Sequence, residues 1–257
     1  MITVRREPLY RLKDRWNRLT SLNPMTWPYQ NYEMVCMINK YYLPFIVKGR
    51  EFPEFYSFSE NGITIAIAPM ARRYGEKYKY VNFGAAATIA VKDFIYAADM
   101  GVEKMIECVV ALKEKLKSIK FYDVLESSLL YQALSQLGEE CGVHEYVTIP
   151  FEDLGKQYGG GYSAYYQSLT KHMRQNIRTA YNYLDKNNIS FSFEILKGAD
   201  IKKNDLKRIM DIYFKRRNSH NGADSYLHQF YLKHFHYYTV AQRALNNSYV
   251  GVLRMGG

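Results

Sequence analysis

The sequence predicts an α/β (α+β) protein whose mixed central sheets are flanked by helices, arranged as two domains, the second incomplete at its C-terminus. Two observations carry that prediction. Strand-like alternation and helix-like periodicity succeed one another over the first 150 residues, the order that builds a sheet with helices laid on it. The same kind of succession restarts after a loop-like stretch at residues 152–161, which contains Gly159-Gly160-Gly161. The boundary is accordingly placed near residue 150, giving domains 1–150 and 151–257.

The elements follow in order. Residues 8–20 carry Leu12, Trp16 and Leu19 at helical spacing. Ser21–Gln30 is rich in turn formers, with Pro24 and Pro28, and helix character returns over Asn31–Tyr41, ahead of Pro44. Asn61-Gly62 between two alternating runs is a strong hairpin signal. Lys77–Phe83 alternates again and is expected to pair beside that hairpin. Asp99–Leu116 reads as an amphipathic helix whose buried side holds Val102, Ile106, Val109, Val110, Leu112 and Leu116. A short strand is expected at Phe121–Leu125, a helix at Ser127–Leu137 with Gly138 near its end, and a strand at His144–Pro150.

In the second half, Ser168–Asn188 reads as a helix with two stripes. Leu169, Met173, Ile177, Ala180 and Leu184 form an apolar side, and Lys171, Arg174 and Arg178 form a narrow basic one opposite. Asn187 and Asn188 suit its C-terminal stop, since Asn tolerates the left-handed conformation. Ile189, Phe191, Phe193 and Ile195 then alternate with polar residues as in a half-buried strand. Helices are expected at Asn204–Arg217 and Ser225–Leu245, and a strand at Ser248–Met255. The closing Gly256-Gly257 normally opens a turn, so the last strand reads as belonging to a truncated domain or to one completed by another chain, as in a homo-oligomer.

Composition limits the partners. The net charge is +10 over 257 residues, which favours anionic ones: nucleic acid, a nucleotide-linked sugar, coenzyme A or an anionic surface. Tyrosine, with 25 copies, suits wet clefts and interfaces. Cys36, Cys108 and Cys141 are far apart and show no metal-ligand spacing, which argues against structural zinc and fits a reducing, cytoplasmic compartment. No secretory signal and no run long enough to span a membrane is visible.

Several segments compete for chemistry. Three cations on one helix side with no acid between them suit a phosphate or pyrophosphate, although a plain solvated face has the same pattern. Arg216, Arg217 and His220 fall between two expected helices. There the arginines would add to an anion site and the histidine would carry a proton. Gly159–Gly161 would let backbone approach an anion, or would serve only as a connector. His228, His234 and His236 have no carboxylate at a ligand-like offset, and no nucleophile elbow, P-loop or dinucleotide fingerprint occurs.

Ile67–Lys77, IAPMARRYGEK, resembles the pyrophosphate loop V-x-P-x-x-R-x-x-G-x-G/A of GNAT-superfamily acetyltransferases, with Lys77 replacing the last small residue. The order of further segments is similar to the CelD/BcsL branch of that superfamily. TWPYQNYEM resembles its "PFQ-x-x-EW" opening, ITIAIAPMARR its "AIAPL" strand, VNFGAAATIAVKDFIYA its "FLG…D" segment, and SLTKHMRQNIRTAYNYLDKNNISF its "L-x-K-x-x-R-x-x-x-R" helix and strand. A similar basic helix marks the FemABX aminoacyltransferases.

The resemblance implies two GNAT-like domains, the first degenerate. It implies acyl transfer from acetyl-CoA or another acyl-CoA to an amine or hydroxyl on an envelope-polysaccharide or nucleotide-sugar precursor. Lys171, Arg174 and Arg178 would contact a phosphate-bearing ligand. SYVGVLRMGG falls where the family's second domain begins its cofactor-binding strands, so the donor loop and the helix behind it would be missing and the chain would be a fragment or an inactive remnant. The competing expectations are a non-catalytic basic protein that grips nucleic acid or an anionic glycan, and an aminoacyl-tRNA-dependent transferase.

Overall fold

A computed structural model describes residues 2–23, 30–42, 51–73, 80–82, 92–139, 142–144, 159, 161–221 and 249–256. Among them the chain is a mixed α/β structure built on one large mixed sheet and one small antiparallel pair. The large sheet takes β1 (Thr3–Glu7), β2 (Glu51–Glu60), β3 (Ile63–Arg73), β4 (Tyr80–Asn82), β5 (Ile95–Tyr96) and β6 (Ile119–Lys120). Its order is β1-β2-β3-β4-β6, with β5 also beside β3. Every pair is antiparallel except β4 with β6, which is parallel.

The hairpin forms as the sequence requires. Asn61 and Gly62 both take positive φ, 49° and 79°, the combination of a type I′ turn. That turn fixes the register of β2 on β3, and the period of two then sorts side chains between faces. Phe55 and Ile67 point to one face, with Leu12, Trp16 and Leu19 of the N-terminal helical segment and Tyr32, Met34 and Val35 of α2. That segment is a 3₁₀ turn, Leu9–Leu12, running into α1 (Lys13–Ser21); α2 is Tyr32–Met37. Tyr56, Phe58, Ala66, Ala68 and Met70 point to the other face, where α3 (Val102–Leu116) and α4 (Leu129–Leu137) cover them. The result is three layers, and central β3 is buried on both sides by small and branched residues.

Several expectations are corrected. The stripe that α3 buries is Met105, Cys108, Val109, Leu112 and Leu116, whereas Val110 is 38% exposed. Spacings of three and four from Met105 reach all five, and Val110 falls off that line. The strand expected at Phe121–Leu125 is instead β6, two residues earlier. Asp123 adopts φ 50°, which ends the extended run, and the Asn82 side chain takes over the ladder: it donates to the Tyr122 carbonyl at 2.6 Å and accepts from the Tyr122 amide at 3.1 Å. Of the Ile67–Lys77 segment that resembles a pyrophosphate loop, Tyr74–Lys77 lie outside the described residues, and Ile67–Arg73 is strand. It is the end of β3, paired to β2 on one side and to β4 on the other.

The second half of the described chain comprises α5 (Tyr162–Ser168), α6 (Lys171–Lys186), β7 (Phe191–Lys197), α7 (Lys203–Asn221) and β8 (Tyr249–Met255). β7 and β8 pair antiparallel. Asn188 closes α6 in the left-handed region at φ 52°. The strand is not half-buried as expected: Phe193 and Ile195 are 62% and 63% exposed. No residue of α6 is buried, Met173 of its apolar stripe included. α7 runs past Arg217 to Asn221, so Arg216, Arg217 and His220 stand in its last turns, not in a connecting loop. Turn residues 24–29, the ends of the Lys77–Phe83 run, Cys141, the strand expected to end at Pro150, most of 151–160 and the helix expected at Ser225–Leu245, with its three histidines, lie outside the described residues.

Candidate functional site

The basic helix is positioned by a corner. Gly161 adopts φ 76°, a conformation that glycine enters without strain, and α5 starts on the next residue. α5 ends at Ser168, Leu169 is extended, and Thr170 begins α6 by accepting the Met173 amide on its hydroxyl at 3.3 Å. Arg174 closes the corner. Its Nη1 donates to the carbonyls of Gln167 and Leu169, both at 2.7 Å. These are acceptors that the end of α5 leaves without a partner inside the helix. Arg174 is therefore a clamp of the backbone, and its charge is engaged there.

Arg178, one turn further on, behaves differently. Its Nε donates to the phenol oxygen of Tyr166 at 3.2 Å, which fixes the plane of the guanidinium. Its Nη groups make no hydrogen bond among the described residues. Arg178 lines a cavity of about 410 Å³ with Tyr162 and Tyr166 from α5 and Ile177, Tyr181 and Asn182 from α6. No carboxylate is among the described lining residues. The rings of Tyr162 and Tyr166 lie 6.0 Å apart and 34° from parallel. Tyr181 is braced from outside the cavity by Phe191, at a ring separation of 6.0 Å. Lys171 is exposed in the first turn of α6, which has no acidic residue. A cation there works against the helix dipole, so it serves no helix-stabilising purpose.

The three cations of the sequence pattern thus separate into three roles: Arg178 in the cavity, Arg174 in the corner, Lys171 at the surface. Arg216 is exposed on α7 and is not among the described lining residues. The side chains of Arg217 and His220 lie outside the described residues. Sequence reasoning missed Tyr162, Tyr166, Tyr181 and Asn182. Their signal was the tyrosine excess together with the spacing of four between Tyr162 and Tyr166, which stacks both on one helix side.

Two carboxyl sites of the sheet region, Glu54 and the part-buried Asp93, also escaped that reasoning. Glu54 on β2 is buried, accepts the Tyr56 hydroxyl at 2.6 Å and is ion-paired with Arg6 at 3.1 Å and Arg72 at 3.4 Å. Burial, aided by that bond to Glu54, holds the Tyr56 phenol well above its ordinary value. The cluster braces three strands through Arg6 of β1, Glu54 of β2 and Arg72 of β3. Asp93 accepts from the Phe94 amide at 2.6 Å and from Tyr96 at 3.2 Å. Burial pushes its carboxyl up to about 7. Among the described residues no three His, Cys, Asp or Glu side chains gather as a metal site, and no helix is long and apolar enough to cross a membrane.

What the α5–α6 cavity can do chemically is hold an anion against aromatic surface. Its tyrosines, amide and guanidinium include no activated nucleophile and no base placed by a second group, so no catalytic residue is assigned.

No family model matches this chain, and no curated protein matches it. A crystal structure of a predicted acetyltransferase with acetyl-CoA from Clostridium acetobutylicum aligns with 61% of this chain and 98% of its own length, at 11% identity and a TM-score of 0.26. A likeness of that depth fixes neither fold nor function.

Proposed function

We propose that the chain is an acyl-CoA-dependent N- or O-acyltransferase acting on an envelope-polysaccharide or nucleotide-sugar precursor in the cytoplasm, with residues 1–150 and 151–257 as two GNAT-like units. The reading is supported by the order of motifs that resembles the CelD/BcsL and FemABX transferases. One structural observation carries it further: the Arg178 guanidinium, oriented by Tyr166, faces an open aromatic cavity whose described lining has no acid. A fixed fork of N–H donors is suited to phosphate, and both acyl-CoA and nucleotide sugars bring one. Lys171, exposed about two turns before Arg178, adds positive potential to the same helix. Arg216, Arg217 and His220 stay in the proposal as further contacts to that ligand. The acyl-transfer step also needs a base at the acceptor and a donor to the thioester oxygen, and these are sought outside the cavity.

Thermal unfolding with acetyl-CoA tests the proposal. A ligand of the native state at 100 times its Kd stabilises by about 2.7 kcal/mol, a readily measured rise in Tm. The expected result is a concentration-dependent rise, and a Tm unmoved by acetyl-CoA contradicts it. The net charge of +10 favours one other reading, a binder of nucleic acid or anionic glycan. That reading predicts instead an affinity for polynucleotide that falls linearly against log salt. An aminoacyl-tRNA-dependent transferase would require charged tRNA for turnover.

A further inference from the structure

We infer that the α5–α6 cavity is a nucleoside-phosphate site, in which the base lies on tyrosine rings and the phosphate is taken by Arg178. The inference deepens the proposed function and rests on its reading of the cavity as the seat of a phosphate-bearing ligand.

A bare anion is best held by several converging cations. Here the neighbouring cation of the helix is withdrawn: Arg174 is spent on the carbonyls of Gln167 and Leu169. The cavity instead offers aromatic surface from both helices, Tyr162 and Tyr166 on one and Tyr181 on the other. Two of those rings are open to solvent. Tyr162 is 64% exposed and Tyr181 50% exposed.

The rings are nonetheless held in place. Tyr166 is tied through its hydroxyl to Arg178, Tyr162 rests against Tyr166, and Tyr181 leans on Phe191 of β7. Fixed, open aromatic faces beside one oriented guanidinium match a ligand with a flat ring and an anion a few bonds away. A base stacks on such a face whatever its identity. Asn182 adds an amide able both to donate to and to accept from a base edge. Two sources supply this chemistry under the proposed function, the adenosine 3′-phosphate end of coenzyme A and the nucleoside diphosphate of a nucleotide sugar.

The test is calorimetric titration of the full chain with adenosine 3′,5′-bisphosphate, uridine diphosphate, glucose 1-phosphate and a single-stranded oligonucleotide. The expected result is that at least one nucleotide binds on the order of tenfold more tightly than glucose 1-phosphate, the scale of one stacked base. Whichever nucleotide binds better identifies the source. Tyr181→Leu is expected to erase that preference and Tyr181→Phe to keep it; Tyr181 is exposed, so both variants are expected to fold. Arg178→Gln is expected to make each nucleotide bind no better than its nucleoside.

Equal or tighter binding of glucose 1-phosphate overturns the inference, as does an unchanged affinity in Tyr181→Leu. Failure of both nucleotides to bind overturns it too. Oligonucleotide binding far tighter than either nucleotide, with a steep salt slope, replaces it with a nucleic-acid surface. If nucleotides bind as described while acetyl-CoA neither stabilises nor turns over, the acyltransferase reading fails and this one stands. If acetyl-CoA stabilises but neither variant changes its binding, the reverse holds.

Discussion

The sheet region up to residue 144 and the helix–strand region from 161 onward are built on different principles. In the first, two apolar clusters lie on opposite faces of one sheet and bury Trp16, Tyr56, Phe58 and Met70 almost completely. In the second, the buried cluster among the described residues is Met210 and Phe214 with Ile209 against them. There, Phe193, Ile195, Tyr249, Leu253 and Met255 are all more than half exposed on one face of the β7–β8 pair. Both regions are rich in apolar and aromatic residues; they differ in where those residues face. The sheet region turns them inward for stability. The other turns its tyrosines toward a cavity and its strand face toward solvent, which leaves aromatic surface available to a ligand.

The largest expected effect tests that difference head on. Trp16→Ala or Phe58→Ala should destabilise by about 3–5 kcal/mol in denaturant unfolding, the usual cost of emptying an aromatic core site. Trp16→Ala also removes the indole donor from the Gln30 carbonyl, bonded at 2.7 Å. Phe193→Ala should change stability by no more than about 0.5 kcal/mol, as for an exposed position. Equal losses at Phe58 and Phe193 would erase the distinction.

The next effect is pH-dependent. Asp93 holds its proton more tightly folded than unfolded, because burial lifts its carboxyl to about 7 from 3.8. A raised folded value means that its contribution is fully present below about pH 4 and is lost as pH climbs through 7. Each unit corresponds to about 1.4 kcal/mol, so the loss is on the order of a few kcal/mol. Asp93→Asn should remove it: the variant should gain stability relative to the native chain as pH rises from 4 to 8. Parallel pH profiles of the two proteins would contradict this.

A smaller pair of effects compares two glycines. Gly62 and Gly161 both have φ near +80°, and an added Cβ would meet nothing within 4 Å at either. Substitution by Ala therefore costs backbone conformation alone, about 1 kcal/mol at Gly62 and about 1–3 kcal/mol at Gly161, whose ψ of −159° lies in a region essentially reserved for glycine. In the hairpin, Gly62→Ala should lower global stability by its full cost. Gly161→Ala should appear as faster hydrogen exchange over α5 and the start of α6, with the unfolding midpoint of the sheet region unchanged. A global shift from both variants would mean that the two regions unfold as one unit.

How much of this was legible in the sequence depends on how local the cause is. The stripe of Leu12, Trp16 and Leu19 in the N-terminal helical segment, the Asn61-Gly62 turn and the Asn187-Asn188 stop are set by neighbours in the chain, and they stand where local pattern places them. The stop at Gly138 is equally local, whereas the helix expected from Ser127 starts at Leu129 behind a Ser128 cap. Features decided at a distance were not legible. β6 is set by pairing with β4 and by Asn82 reaching Tyr122, 40 residues away. Arg72 reads as a loop cation until β2 and β4 flank it and Glu54 meets it. For the site, the basic helix was visible, but the division of labour between Arg174 and Arg178 was not. It follows from the turn at Leu169-Thr170, which brings one arginine to the carbonyl ends of α5 and the other to Tyr166.

The central claim is that Arg178, alone of the helix's three basic residues, grips the ligand's phosphate. Calorimetric titration of acetyl-CoA into the native chain, Arg178→Gln and Lys171→Gln tests it most directly. The account predicts measurable binding to the native chain, at least a tenfold loss in Arg178→Gln, the scale of one charge-assisted contact, and less than a threefold change in Lys171→Gln. Undiminished binding in Arg178→Gln, or no heat of binding to the native chain from either acetyl-CoA or uridine diphosphate, would contradict it.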